Sequence, residues 1–318
     1  MASSPQFVLA IDQGTTSSRA MVFGRDGRPV ASAQKEHRQI FPQPGWVEHD
    51  ALEIWQNVAE LVGSALGKAQ LTRHDIATVG ITNQRETVVL WDRSTGTPIG
   101  NAIVWQDTRT QAALDAIAAS GHAERVRELT GLPLSPYFSA SKLAWMLAQP
   151  GVRERAERGD LAFGTIDSWL VWNLTGGPAG GVHVTDVTNA SRTLLFDLHQ
   201  LSWSPELLEL FDIPTAVLPA VQPSIGRFGV ISAQPLLREV PIDGILGDQQ
   251  AASFGQTAFS AGESKHTYGT GGFIMVQTGP EVVRSRHGLL STVGYQITGE
   301  PAQYALEGSV AVAGSLVQ

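Results

Sequence analysis

The chain of 318 residues contains no cysteine. This excludes disulfides, thiolate metal sites and cysteine nucleophiles. Positive charge is also scarce: 22 Lys and Arg against 30 Asp and Glu leave a net charge of −8. A duplex-binding protein normally needs a basic face, so nucleic acid is not the expected partner. No stretch approaches the ~20 apolar residues of a membrane-spanning helix. Residues 1–6 read MASSPQ, with neither the basic start nor the apolar centre of a signal peptide, so the cytoplasm is the expected compartment. Familiar nucleotide signatures are missing too: no Gly-Lys-Thr/Ser completes a Walker A loop, and G-x-G-x-x-G is absent. The eight His residues form no H-x-x-H or H-E-x-x-H pattern, so no zinc site is expected. His183 and His266 read as structural residues. No G-x-S-x-G elbow occurs, and Ser168 and Ser191 have no nucleophile setting. Apolar residues, by contrast, make up 42% of the chain, enough for a full core. The length suits one large domain and part of another.

Residues 12–19 read DQGTTSSR between two apolar runs, 7–11 and 20–23. The pattern is strand, polar turn, strand. Gly14 allows a tight turn and close approach to a ligand. Thr15, Thr16, Ser17 and Ser18 offer four hydroxyls able to donate to phosphate oxygens. Arg19 adds the planar cation best matched to phosphate. Asp12, at the strand end, is placed to hold a metal through water. The alternative is a polar hairpin without a ligand. A phosphate hairpin between two strands points to the actin-like ATPase architecture.

Strand and helix signals alternate beyond it. A third strand is expected near 30–34. Asp50 reads as a helix N-cap with Glu53 at the capping-box position, and Ile54, Val58, Leu61 and Val62 recur at helical spacing. Strands are expected at 76–82, 87–91 and 161–166, with a turn at 94–96. Helices are expected at 108–119 and 139–148, the second ended by Pro150 and Gly151. Asp167 is a candidate cap for a helix around 169–174. Residues 214–240 are Pro-rich and read as irregular with a few strands. A short strand at Ile245 and Leu246 runs into a helix at 249–254. Residues 265–278, KHTYGTGGFIMVQT, echo the opening hairpin, as a duplicated fold closing on one nucleotide would. The domain boundary is placed near Gly255, giving domains 1–255 and 256–318.

Three clusters carry candidate chemistry. In ITNQRE (81–86), Arg85 and Glu86 would point to opposite faces of a continuous strand. If the strand ends near Asn83, they can grip a polyol together, Arg85 donating and Glu86 accepting; the alternative is a surface charge pair. In GILGDQQ (244–250), Asp248 follows an apolar strand and is a candidate general base, taking the proton of an attacking hydroxyl in phosphoryl transfer. Gln249 offers a donor and an acceptor to a second hydroxyl. The alternative for Asp248 is a helix N-cap. Tyr137, in LPLSPYFS, and Trp105, read as ending a strand in NAIVWQDTR, are candidate walls of a small site; plain loop packing is the alternative for Tyr137. Of the eight Trp, Trp55, Trp145, Trp169 and Trp172 read as core.

These strings, together with PGWVEHD (44–50), TGL (130–132), VHVTDVTNASRT (182–193), GDQQAA (247–252), TYGTGG (267–272) and ALEG (305–308), resemble the glycerol branch of the FGGY carbohydrate kinases, the bacterial glycerol kinases. The resemblance covers almost the whole chain, in order. It implies an α/β fold of the actin-like, ribonuclease-H-like ATPase kind, with a complete first domain, the start of a second and the active site between them. It implies ATP and Mg²⁺ as cofactors and glycerol as substrate, phosphorylated to sn-glycerol 3-phosphate. Thr15, Thr16, Ser17 and Arg19 would hold nucleotide phosphates, and Asp12 would serve magnesium. Arg85, Glu86, Tyr137, Asp248 and Gln249 would bind glycerol, with Asp248 as base. Trp105 and Phe273 would supply an apolar wall, and Thr270, Gly314 and Gln318 would touch the nucleotide. A homo-oligomer is implied for the full-length protein.

Two departures from the family pattern bear on function. The glycine-rich, Arg-ended stretch that holds an allosteric sugar bisphosphate in enteric members reads SAQPLLREVPI here, so that regulation is not expected. The chain also stops at Gln318 inside a helical pattern, so the chain alone is expected to be an incomplete kinase. Two other readings stand beside glycerol phosphorylation: a sugar kinase of the same fold, for example one acting on xylulose, and an actin-like nucleotide-binding module without a small substrate. The pairs Arg85–Glu86 and Asp248–Gln249 speak against the last, which has no use for a polyol grip.

Overall fold

The computed structural model describes residues 5–268 and 272–310. The opening hairpin forms as the alternation dictates. Strand β1 (Phe7–Gln13) pairs antiparallel with β2 (Ser17–Phe23), and β2 with β3 (Pro29–Glu36). Strand β4 (Ile76–Asn83) lies parallel to β1 on its other side. Strand β6 (Pro241–Gly247) lies parallel to β4, and β5 (Ile225–Val230) closes the edge. The sheet order is β5-β6-β4-β1-β2-β3.

Every second residue of β1 and β2 is buried: Leu9, Ile11 and Gln13 on one strand, Ser18, Ala20 and Val22 on the other. That face packs on helix α1 (Ala51–Ala69) and on the Trp169 and Trp172 side of a helix at Ile166–Thr175. Asp50 caps α1 as expected, accepting from the backbone of Leu52 and Glu53. The second half of the capping box does not form; the Glu53 carboxylate accepts instead from the Arg38 backbone at 3.2 Å. Asp167 is not a cap. The helix begins at Ile166, and Asp167 lies buried in its first turn, where its two oxygens accept from the hydroxyls of Thr165 and Thr185.

The helix expected from 108 begins at Gln111 and runs to Ala119. The segment Ala123–Thr130, which periodicity leaves unassigned, is also a helix; only Val126, Leu129 and Thr130 of it are buried, too few to show a stripe. Helix α2 (Ser139–Leu147) forms as expected. A second sheet holds β7 (Ser264–Tyr268), β8 (Gly272–Gly279), β9 (Leu290–Tyr295) and β10 (Gln303–Val310), in the order β7-β8-β10-β9. The β7–β8 pair is the expected second hairpin; its tip lies outside the described residues. No helix among the described residues is long and apolar enough to cross a membrane.

Candidate active site

Strands β1, β4 and β6 run parallel and end level with one another. Gln13 and Gly247 both stand in register with Asn83. The carboxyl ends of adjacent parallel strands are where open α/β sheets place ligands. The residues that follow, Gly14 and Thr15, Gln84 to Glu86, and Asp248 and Gln249, therefore leave one edge of one sheet.

The hairpin turn is held from behind by amides. Gln84 donates from its backbone to Gln13 O at 2.6 Å and from its side chain to Gln13 Oε1 and Gly14 O. Thr15 Oγ1 accepts from the Trp105 indole at 3.0 Å, which ties the hairpin turn to that aromatic ring. Thr16 is exposed and Ser17 half-buried. Ser17 Oγ accepts from Gln34, whose carbonyl in turn takes Arg19 Nε and Nη2 at 3.2 and 2.8 Å. Ser18 is a correction. Period-2 alternation turns it with Gln13 onto the core face, where it is fully buried. Its hydroxyl cannot reach a phosphate on the open face. Asp12 stands opposite Arg19 on that open face. Burial raises its pKa, and the Asp248 carboxylate adds to the rise against the pull of Arg19.

Strand β4 ends at Asn83, so Arg85 and Glu86 are free of the strand's two-face rule. They are not a surface pair, being 2% and 1% exposed. Glu86 takes a left-handed backbone, φ +63°, a conformation costly for a side chain of this kind and typical of functional sites. Its Oε1 accepts from Arg192 Nε at 2.7 Å. Arg85 forms a two-pronged pair with Glu307 of β10, at 2.6 and 2.7 Å. Two arginines and two carboxylates thus neutralise one another in the interior, which burial requires. Gly247 makes room for them: a Cβ there would lie 2.6 Å from Arg85 Cδ.

Asp248 is the first residue of its helix (Asp248–Gly255), and Gly247 is the N-cap, so the capping alternative does not hold. Its Oδ1 lies 3.3 Å from Arg85 Nε. Burial pushes its pKa upward, while Arg85, the Gln249 amide and Lys265 pull it down. The side chain keeps 36% of its surface open to solvent, which relieves part of the burial. The strand end before it is fixed from below: the Gly247 amide donates to Thr188 Oγ1, which donates to Asp186, each at 2.9 Å. Gln249 is buried, and its carbonyl accepts from the Lys265 ammonium. Burial lowers the pKa of Lys265 to about 8.

The ring of Tyr137 lies 5.2 Å from that of Trp105, so the two expected walls meet. Trp105 itself follows a two-residue strand, Ala102–Ile103, rather than ending it. The loop around Tyr137 is clamped by the buried Lys142, which donates to the carbonyls of Pro136 and Phe138. Phe273 stands half-buried in β8, and among the described residues no ring contact joins it to Trp105 or Tyr137. Thr270, Gly314 and Gln318 lie outside the described residues.

The sequence reading passes over Arg192, Glu307, Lys142 and Lys265. Lys142 and Glu307 each stand in or beside an apolar run, a local sign that a buried partner waits elsewhere; Arg192 and Lys265 have polar neighbours and carry no such sign.

Residues 7–255 match the FGGY family of carbohydrate kinases, N-terminal domain. The chain belongs to that family. A glycerol kinase of Leifsonia xyli subsp. xyli is 60% identical over 314 residues, 98% of this chain and 62% of the relative. One from Methylorubrum extorquens is 58% identical over 315 residues, 99% of this chain and 62% of the relative. The chain thus spans about 62% of the length of the curated relatives it matches. The crystal structure of Plasmodium falciparum glycerol kinase with ADP superposes with a TM-score of 0.93 at 40% identity, covering 99% of this chain and 63% of that one. Gluconate kinase from Lactobacillus acidophilus shares the fold, with a TM-score of 0.87 at 22% identity. The α/β fold is that of the actin-like FGGY kinases, as expected.

Proposed function

We propose that this chain carries the polyol site and the phosphate hairpin of an ATP-dependent glycerol kinase. One observation supports this above all: Asp248 stands half-open at the end of a parallel strand with Arg85 Nε 3.3 Å away and Glu86 buried alongside. A carboxylate with a raised pKa, beside groups able to bind hydroxyls, suits a general base. In this reading a primary hydroxyl of glycerol gives its proton to Asp248. Its oxygen bonds to the γ-phosphorus as the bond to the bridging oxygen breaks, leaving ADP. Glu86 accepts from a hydroxyl, Arg85 and Gln249 hold the others, and Tyr137, Trp105 and Phe273 wall the carbon chain. The identity to glycerol kinases supports glycerol over a sugar.

Thr15, Thr16, Ser17 and Arg19 face the phosphates, and we assign further nucleotide contacts to Thr270, Gly314 and Gln318. Magnesium fits the donors present. The Asp248 carboxylate raises the pKa of Asp12, a repulsion that a cation beside Asp12 would relieve. A single carboxylate such as Asp12 can anchor an ion that keeps most of its water and shares phosphate oxygens. When bound, the ion neutralises charge on the phosphates. We also propose residues 1–255 and 256–318 as parts of two domains, supported by the family match over 7–255. Regulation by a sugar bisphosphate at 232–242 is not proposed, since Arg238 is the one cation there.

The test is Asp248→Asn in the full-length protein. Turnover should fall ~100-fold or more with a modest change in glycerol KM, as loss of a general base predicts. Near-wild-type turnover would overturn the role. A panel of polyols and sugars in a coupled ADP assay then identifies the substrate.

A further inference from the structure

A guanidinium has five N–H donors in a fixed plane. Those of Arg85 are allotted unequally. Nη1 donates to Glu307 Oε2 at 2.6 Å and to Gln250 Oε1 at 3.1 Å, and Nη2 to Glu307 Oε1 at 2.7 Å. The end of the fork and its outer side are thereby filled. What remains is the other side, the Nε–H and the second Nη2–H. That side is where Nε approaches Asp248 Oδ1 at 3.3 Å and Glu86 Oε1 at 3.8 Å. Glu307 also accepts from Arg192 Nη2 at 3.2 Å, and Arg192 Nε holds Glu86. A single carboxylate on β10 thus touches both arginines, one directly in the candidate site and one supporting its other member. Glu307 is itself buried; burial raises its pKa, but Arg192 and Arg85 outweigh that and hold it ionised. It comes from the second sheet, while Arg85, Glu86 and Arg192 all precede residue 193.

We infer that Glu307 is a positioning residue: by taking the end of the Arg85 fork it turns the Nε/Nη2 side toward the polyol, and through Arg192 it holds Glu86 in place. Glu307 touches no substrate in this arrangement. It decides which two donors of Arg85 are left for the substrate hydroxyls. The inference rests on the polyol-site reading above.

The experiment uses the full-length protein with Glu307→Gln, Glu307→Asp, Arg85→Ala and the double variant Arg85→Ala/Glu307→Gln. Steady-state constants for glycerol and ATP, glycerol affinity by calorimetry and thermal midpoints are measured. An amide offers one acceptor and one donor, so Glu307→Gln cannot hold both arms. It should raise the glycerol KM about 10-fold or more, the scale of one hydrogen bond to a charged group. The ATP KM should stay within about twofold, which a general loss of structure would not produce. Glu307→Asp keeps the charge on a shorter arm and should show a smaller rise, about 3- to 10-fold, readable even if the Gln variant fails to fold. In the Arg85→Ala background, Glu307→Gln should raise the glycerol KM clearly less than it does alone, because only its route through Arg192 to Glu86 remains. Multiplying effects in the double variant, or an unchanged glycerol KM in Glu307→Asp, would overturn the inference. If Arg85→Ala itself leaves glycerol binding intact, the polyol-site reading fails instead.

Discussion

Ser18 shows how much one step of register matters. Its neighbours Ser17 and Arg19 stand on the open face of the hairpin, while Ser18 is buried with Ala20 and Val22. Its hydroxyl finds no partner among the described residues. A buried hydroxyl without a partner costs ~1–3 kcal/mol. Ser18→Ala should therefore leave turnover within about twofold and raise stability, by ~1 kcal/mol on the same scale. Urea unfolding and initial rates check this; a tenfold loss of turnover would mean that Ser18 does reach a phosphate. Arg85 and Asp248 differ from it in kind. Their side-chain types at strand ends were legible as candidate chemistry, each beside an ordinary alternative, a surface charge pair for Arg85 and a helix N-cap for Asp248. Which groups they meet was not legible, because the partners of Arg85 lie 165 and 222 residues further along the chain.

Among the elements, the junction at Gly131 joins two parts of the molecule through one residue. It ends the helix Ala123–Thr130 with φ +72°, and its carbonyl accepts from the Ser291 amide of β9 at 3.1 Å. A Cβ there would stand 2.4 Å from Ser291 O and 2.8 Å from Leu198 Cδ1. Neither a left-handed backbone nor that contact suits alanine. Gly131→Ala should cost more than ~2 kcal/mol, the strain and the overlap adding. Denaturant titration gives the number, and a loss under ~0.5 kcal/mol would show that β9 simply shifts. The sequence reading assigns no helix before this glycine and gives it no role beyond the TGL string. That the stop abuts another sheet is a fact of packing between segments 160 residues apart.

At the scale of the whole molecule, buried carboxylates shape the response to pH. Asp167 lies beside Asp186 in the interior. Burial, then the Asp186 charge, raises its pKa to about 7 from a usual value of 3.8. The folded state therefore holds a proton that the unfolded chain releases between about pH 4 and 7. Stability from this group is complete below pH 4 and is lost as pH rises through 7, by roughly 4 kcal/mol at most. His49 and His183, buried neutral with values near 3 and 4, act in the opposite sense, losing stability as pH falls below about 6.5. Asp167→Asn removes only the first contribution. The thermal midpoint of the wild type should fall more between pH 5 and 8 than that of the variant; equal slopes would rule out the buried proton. Such coupling belongs to the tertiary structure, as do the ion square of Arg85, Glu86, Arg192 and Glu307 and the lysines that clamp Pro136, Phe138 and Gln249. The amino-acid order alone determined the hairpin, the two apolar strands with ends within a residue of Asn83 and Gly247, and the kinds of side chain that follow them. Alternation, glycine turns and caps act over a few residues, and those a linear reading can weigh. Which buried charges cancel was decided only when the chain closed, because that pairing spans up to 222 residues and no local pattern carries it.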